Sequence, residues 1–219
     1  MSRLGAAALA VALLAGEGLA APRGGGRKAA DGPAAASPPA AWLDWIQVLQ
    51  TTEGALTVSG RPVGAGYNVP PGVGLALAAE GRAVIKLGQE GVVELRGPAS
   101  FRFVSGRRAG LDLTRGGLLA ALPRLSGPFH VQARSMVAAV RGTELFLDVR
   151  GPSDLYLCVC SGSVRLSDDK RRGYQRTISG EHHTSWEFKG GGPAGVLETS
   201  QDMQGHSDED LEALRAFLR

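Results

Sequence analysis

From Trp42 onward the chain consists of short apolar runs separated by glycine and proline. Ile46-Gln47-Val48-Leu49, Ala55-Leu56-Thr57-Val58, Gly74-Leu75-Ala76-Leu77, Ala83-Val84-Ile85-Lys86-Leu87, Val92-Val93-Glu94-Leu95 and Phe101-Arg102-Phe103-Val104 are successive examples. Turns fall at Ser59-Gly60, Pro70-Pro71-Gly72, Gly88-Gln89-Glu90-Gly91 and Gly97-Pro98. The spacing, roughly one run per 8 to 10 residues, is that of an all-β protein. Within the runs the period is two. Lys86 points opposite Ile85 and Leu87, so one face of that strand meets water. Leu111, Leu113 and Leu118-Leu119 continue the pattern, and Phe129-His130-Val131-Gln132-Ala133 alternates as well. Two apolar runs, 135–149 and 155–166, flank the turn Arg150-Gly151-Pro152-Ser153-Asp154 and predict a hairpin. The glycines at 190–192 with Pro193 are expected to end the β region. The period then changes. Leu211, Leu214 and Leu218, with Ala213 and Phe217 filling the stripe, recur as in a helix. Ser207 is its expected N-cap, Asp208-Glu209-Asp210 suit the positive end of its dipole, and Arg215 and Arg219 suit the other. Segment 42–46 reads either as a helical turn or as the entry to the first strand. The fold expected is therefore all-β: a two-layer β-sandwich or short solenoid-like β-roll of many short strands, with one C-terminal α-helix packed on it.

Composition sharpens this. The chain has 219 residues, with 32 glycines, 12 prolines and only 5% aromatics, which disfavours a helix bundle. Net charge is +3 with no long basic run, so nucleic acid is not an expected partner. Residues 1–20 read as a signal peptide. Arg3 is the positive start, 4–15 the apolar stretch, and Gly18-Leu19-Ala20 the cleavage site. About 12 apolar residues are too few for a span of ~20. No later stretch reads as a membrane span, and no cysteine follows the apolar stretch as a lipoprotein would need. Residues 21–41 hold almost no large apolar side chain and read as a flexible leader. A soluble periplasmic protein is expected. Residues 191–219 form a glycine linker and the helix. The oligomeric state is left open.

The β segment, 42–190, resembles the FecR-domain family, named for the periplasmic sensor of ferric dicitrate uptake. The carrying residues lie in order from near Trp45 to Phe188. Gly54-Ala55-Leu56-Thr57-Val58 is similar to that family's opening strands. Residues 83–87 with 92–95 resemble its first long hairpin. Gly116-Gly117-Leu118-Leu119 and Phe129-His130-Val131-Gln132-Ala133 occupy the places of its next two steps. Val140-Arg141-Gly142-Thr143-Glu144-Leu145-Phe146-Leu147-Asp148-Val149 is similar to its most specific piece, V-R-G-T-x-F-x-V. Ser161-Gly162-Ser163-Val164 and Ser179-Gly180-Glu181 resemble its closing pieces. The resemblance implies an all-β exported bacterial domain; with the export signal and no catalytic constellation, a module that binds or senses an envelope protein or polymer is expected, with a metal- or redox-binding protein or a structural envelope scaffold as the alternatives. Members that regulate sigma factors carry a cytoplasmic N-terminal domain and a membrane span. This chain shows neither, so that role is not expected.

Candidate chemistry gathers late in the chain. Cys158 and Cys160 are its only cysteines. Along an extended strand, positions two apart have Cα atoms about 6.5–7 Å apart and parallel side chains. A disulfide needs Cβ atoms about 3.5–4.5 Å apart, so a bridge requires a bent strand, for example a bulge towards Gly162. Two buried thiols acting as small hydrophobes, a strained disulfide, and a metal site remain open. For the last, Cys158, Cys160, His182, His183 and His206 supply ligand types that zinc or iron would take. Adjacent His182 and His183 should point to opposite faces, so only one joins such a site easily. His130 reads as structural or surface. Arg141 and Thr143 read as a strand-start bend, or as an anion contact for a bound partner. No nucleophile with a paired base and no phosphate-binding glycine loop is recognisable, so an enzyme is not expected.

Overall fold

A computed structural model describes residues 41–219 except 124, 126, 153, 191–195 and 201. The expected signal peptide and most of the leader (1–40), and the glycine linker at 191–195, lie outside the described residues. No described helix is long and apolar enough to cross a membrane.

The described chain opens with a 3-10 turn, Ala41–Asp44. It continues as β1 (Ile46–Thr51), β2 (Leu56–Val58), β3 (Arg61–Pro62), β4 (Leu75–Leu77), β5 (Arg82–Leu87), β6 (Gly91–Val104) and β7 (Gly110–Leu122). Next come β8 (Phe129–Ala133), β9 (Met136–Val140), β10 (Thr143–Val149), β11 (Asp154–Asp168), β12 (Gln175–Gly180), β13 (Thr184–Lys189) and β14 (Val196–Ser200). Helix α1 (Asp208–Arg215) and a 3-10 turn, Ala216–Leu218, close the chain. Both alternatives for segment 42–46 are thus realised in sequence, turn first and strand after.

All fourteen strands belong to one hydrogen-bonded sheet, but the pairing folds it into two layers. Three long strands change partners midway. The first half of β6 pairs with β5, and its second half with β4. The second half of β7 pairs with β10, and its first half with β8, which runs parallel to it. The first half of β11 pairs with β10 and β13, its second half with β9 and β12. One layer is therefore β1-β5-β6-β7-β10-β11-β13-β14, and the other β3-β2-β4-β6-β7-β8-β9-β11-β12. Side chains from both fill a single core, including Ile85, Leu95, Leu118, Leu147 and Leu157 from the first and Leu56, Phe103, Leu111, Phe129 and Val164 from the second.

The long strands correct three sequence expectations. Gly97-Pro98, read as a break, lies inside β6. The run 135–149 is two strands, β9 and β10, separated at Arg141-Gly142 and assigned to different layers; the hairpin is formed by β10 and β11 alone. The β region does not end at the glycine triplet, because β14 pairs along β13.

The burial pattern shows what covers each layer. In the second half of β6 and of β11, buried and open positions largely alternate, as in a sheet with one wet face. In their first halves both faces are buried. Over β11 the extra cover is the segment 202–206; over β6 it is helix α1. It seats Leu211 and Leu214 on an outer apolar patch that includes Val84, Val92, Leu119 and Ala121, each fully buried leucine contributing roughly 1.5–3 kcal/mol. Ser207 caps the helix as expected: its hydroxyl accepts from the Asp210 amide, and the Asp210 carboxylate accepts from the Ser207 amide. Ala213, expected in the apolar stripe, faces solvent. Ion pairs flank the helix, Arg215 to Glu144 at 2.6 Å and Arg82 to Asp210 at 3.5 Å.

Candidate metal centre

Four of the five sequence-proposed ligands meet on the outer face of the helix-covered layer. The sulfurs of Cys158 and Cys160 and one ring nitrogen each of His183 and His206 lie within 4.8 Å of one another. Local structure explains how. Between β10 and β11 the register jumps: Glu144 faces Ser161 and Leu145 faces Val159. Cys160 is the extra residue of a β-bulge, where a strand bends and re-aims its side chains. The two sulfurs end 4.0 Å apart as free thiols, not bridged. This is the bend a Cys-x-Cys pair needs to converge, used without forming the bond.

His183 comes from the turn joining β12 to β13. Its φ is +46°, an uncommon left-handed conformation for a residue with a side chain. The two rings still meet edge to face, centroids 4.5 Å apart, but they differ in exposure. The His183 ring is turned inward, its Nδ1 3.5 Å from the Cys158 sulfur. The His182 side chain stays largely exposed and comes no nearer than 3.7 Å to Asp208. His183 is the one of the pair that lies with the cysteines, and His182 groups with it only at Asp208. His206 immediately precedes the helix cap and lies nearly parallel to the Phe146 ring, centroids 4.7 Å apart. Its Nε2 is 3.3 Å from the Cys160 sulfur. Glycine is needed beside it, because a Cβ on Gly205, whose φ is +75°, would stand 2.9 Å from the Phe146 ring.

The remaining nitrogen of each histidine is held by an oxygen. His183 Nε2 is 2.8 Å from an Asp208 carboxylate oxygen. His206 Nδ1 is 3.0 Å from the Gln204 carbonyl. In the neutral form of each ring, a proton on the held nitrogen would turn the lone pair of the other nitrogen towards a cysteine. Behind the cysteines, Tyr156 donates to Ser185 at 2.9 Å and accepts from the Gln204 amide at 3.1 Å. Asp208, Gln204, Tyr156 and Ser185 were not singled out in sequence. Asp208 was read only for the helix dipole; its place one residue after the N-cap and two after His206 was the available signal.

The electrostatics follow from these contacts. The Cys160 thiol donates toward the Cys158 sulfur, and this outweighs burial, with His206, Ser185 and His183 adding to it. The Cys158 thiol falls to about 4. Cys160, which gives that bond and is buried, moves up. Burial alone would lower His183, but Asp208 and Cys158 leave it raised.

The other named residues lie apart. Thr143 is buried at the corner between β9 and β10, its hydroxyl donating to the Ser163 carbonyl at 2.8 Å, with the Arg141 carbonyl 3.0 Å away, and accepting from the Ser163 amide at 3.3 Å. It ties the β9–β10 corner, where the chain changes layer, to the crossing of β11. Arg141 is exposed and forms no ion pair among the described residues. His130 sits in β8, in the other layer.

No protein-family model and no curated protein matches the chain, so the resemblance to FecR domains has no matching family model behind it. Two solved structures of presumed anti-sigma factors from Parabacteroides distasonis are similar to it. The first is 14% identical with a TM-score of 0.48, over 58% of this chain and 58% of that one. The second is 12% identical with a TM-score of 0.42, over 71% of this chain and 59% of that one. The chain thus spans less than two thirds of the length of either.

Proposed function

We propose that this chain is a metal-binding β-sandwich protein holding one zinc ion in a closed Cys2His2 site made by Cys158, Cys160, His183 and His206. The observation that carries the proposal is the spacing of the four donor atoms. Zinc bonds of about 2.3 Å to sulfur and about 2.0–2.1 Å to nitrogen, arranged tetrahedrally, set sulfurs ~3.8 Å apart and sulfur–nitrogen pairs ~3.5 Å apart. The sulfurs here are 4.0 Å apart, two of the four sulfur–nitrogen pairs are 3.5 and 3.3 Å, and all four donor atoms lie within 4.8 Å of one another. Two further features support it. Each histidine has its second nitrogen on an oxygen acceptor, as ligating histidines do. Cys158, Cys160 and His206 are buried, as in structural rather than catalytic zinc sites.

When bound, the ion would supply charge neutralisation for two thiolates and a cross-link between β11, the β12–β13 turn and the start of α1. The chain's own residues hold the donors in place. Cys158, His183 and Asp208 also stand in the order of a thiol–imidazole–carboxylate relay. The Cys158 side chain has no exposed surface, so Asp208 is read as orienting a ligand, not as activating a nucleophile. Export, as residues 1–20 suggest, would make unprotected thiols a liability, and metal ligation accounts for an unbridged pair.

The test is elemental analysis of the natively produced full chain, with cobalt substitution. One equivalent of zinc is expected, and cobalt should give thiolate charge-transfer and tetrahedral ligand-field bands. Cys158→Ser should lose both, and His130→Ala should keep them. One equivalent of iron in place of zinc would change the metal and keep the site. No bound metal in a folded chain whose two thiols both titrate sinks the proposal.

A further inference from the structure

The four ligands are distributed unevenly. Cys158 and Cys160 belong to the sheet and His183 to a turn fixed between two of its strands, but His206 belongs to the segment that leads into α1. Asp208, which holds His183, is the first residue of that helix. The centre therefore joins the C-terminal element to the sandwich from both sides of the helix cap.

What otherwise holds that element is slight. The helix has eight residues, fewer than the ~12–15 an isolated helix needs to persist in water. Only Leu211 and Leu214 are fully buried by it, and Phe217 and Leu218 only partly so. Of its ion pairs, Arg82–Asp210 is half-exposed and contributes little, which leaves the bidentate Arg215–Glu144 pair at 2.6 Å and Arg96–Asp210 at 3.1 Å as its polar ties. The segment before it hangs on the Tyr156 hydroxyl, on Arg150 to the Gln204 side chain at 2.7 Å, and on Arg96 to the Gly205 carbonyl. Beneath it lies the apolar patch of Val84, Val92, Leu119 and Ala121, on a sandwich whose main core is complete without the helix.

We infer that the metal centre is a latch: zinc clamps α1 over the outer apolar face of the sandwich, and its loss releases the helix and uncovers that face while the sandwich stays folded. This rests on the metal reading above. By linkage, a ligand that binds only the closed form suppresses opening by the factor one plus its free concentration over Kd. At free zinc about 100 times Kd, opening of residues 208–218 should fall about 100-fold.

The experiment is amide hydrogen exchange on the full chain with zinc and after chelation. Protection of 208–218 should drop about 100-fold on chelation, stay unchanged in β6 and β7, and return when zinc alone is added. Arg215→Gln supplies a second arm, since Arg215 touches no ligand. Coupling is reciprocal, so weakening helix attachment should weaken zinc binding several-fold. Zinc that binds without changing exchange at 208–218 overturns the latch and leaves the metal centre standing. Equal loss of protection across β6 and β7 also overturns it, making the ion a requirement of the whole fold. A chain that binds no zinc overturns both.

Discussion

Cys160 and His183 show how far single residues decide the site. Residue types alone nominate both cysteines and three histidines, because few other soft donors exist in the chain. Their convergence depends on two backbone departures that no alternation rule reports. One is the bulge that leaves Cys160 unmatched by β10; the other is the left-handed turn at His183. Strand geometry without the bulge keeps the thiols apart, which is why a disulfide read as uncomfortable. The same bulge brings them to a distance that suits a shared ion. Asp208 adds the next layer of control. Its carboxylate, 2.8 Å from His183 Nε2, fixes which nitrogen of that ring faces Cys158. Asp208→Asn keeps the size but removes the charge that holds the proton on Nε2. Zinc affinity should fall roughly 10- to 100-fold, the range for a lost orienting partner. A competition titration against a chromophoric chelator measures it, with unchanged circular dichroism showing that the fold persists. Equal affinity would mean that Asp208 serves only the helix.

At the scale of elements, the sequence carries more than strand positions. Leu155-Tyr156-Leu157-Cys158-Val159-Cys160 is continuously apolar, and Val164-Arg165-Leu166 alternates, within one strand. That change marks where the segment leading into α1 covers the outer face. The helix itself was legible from its period and its Ser207 cap. The length of β6, β7 and β11 was not. Glycines that normally punctuate strands here bend them, and whether a glycine ends or bends a strand depends on partners distant in sequence. β14 was missed because a glycine triplet and proline precede it. β8 lies between β7 and β9 and holds His130, whose Nδ1 is 3.3 Å from the Ala109 carbonyl. Burial lowers the His130 pKa, and nearby Arg108 adds to this against the bond to Ala109. A depressed histidine favours the neutral form in the folded state. Its stabilisation is full above the unfolded value near 6.5 and is lost as pH falls through the folded value. Urea midpoints should therefore decline from pH 7.5 towards acid more steeply for the native chain than for His130→Gln. Comparing the two chains cancels proton competition at the metal site, and parallel slopes would show that His130 does not contribute.

For the molecule as a whole, the decisive feature is that β6, β7 and β11 belong to both layers. Ordinary sandwiches are joined by loops, and each sheet can loosen by itself. Here three strands run through the fold line, so neither layer can lose its pairing without taking strands from the other. The crossings are held open by special backbone. Gly116 has φ of +98°, and a Cβ there would lie 2.6 Å from the Ala99 Cβ and 2.8 Å from the Pro98 carbonyl oxygen. At Gly162, with φ of +90°, the obstacle would be the Gly142 carbonyl oxygen at 2.7 Å. Gly116 lies outside the metal site, so it tests the architecture alone. Gly116→Ala adds both backbone strain and a contact that the facing strand must move to relieve, and should destabilise by roughly 2–4 kcal/mol. The loss should be shared. In native-state exchange, amides of β9 in one layer and β10 in the other should lose protection by the same factor, although β9 forms no part of the altered pairing. Loss confined to β6, β7 and β10, with β9 unchanged, would show that the layers open separately and that the continuous strands do not make the sandwich one cooperative unit.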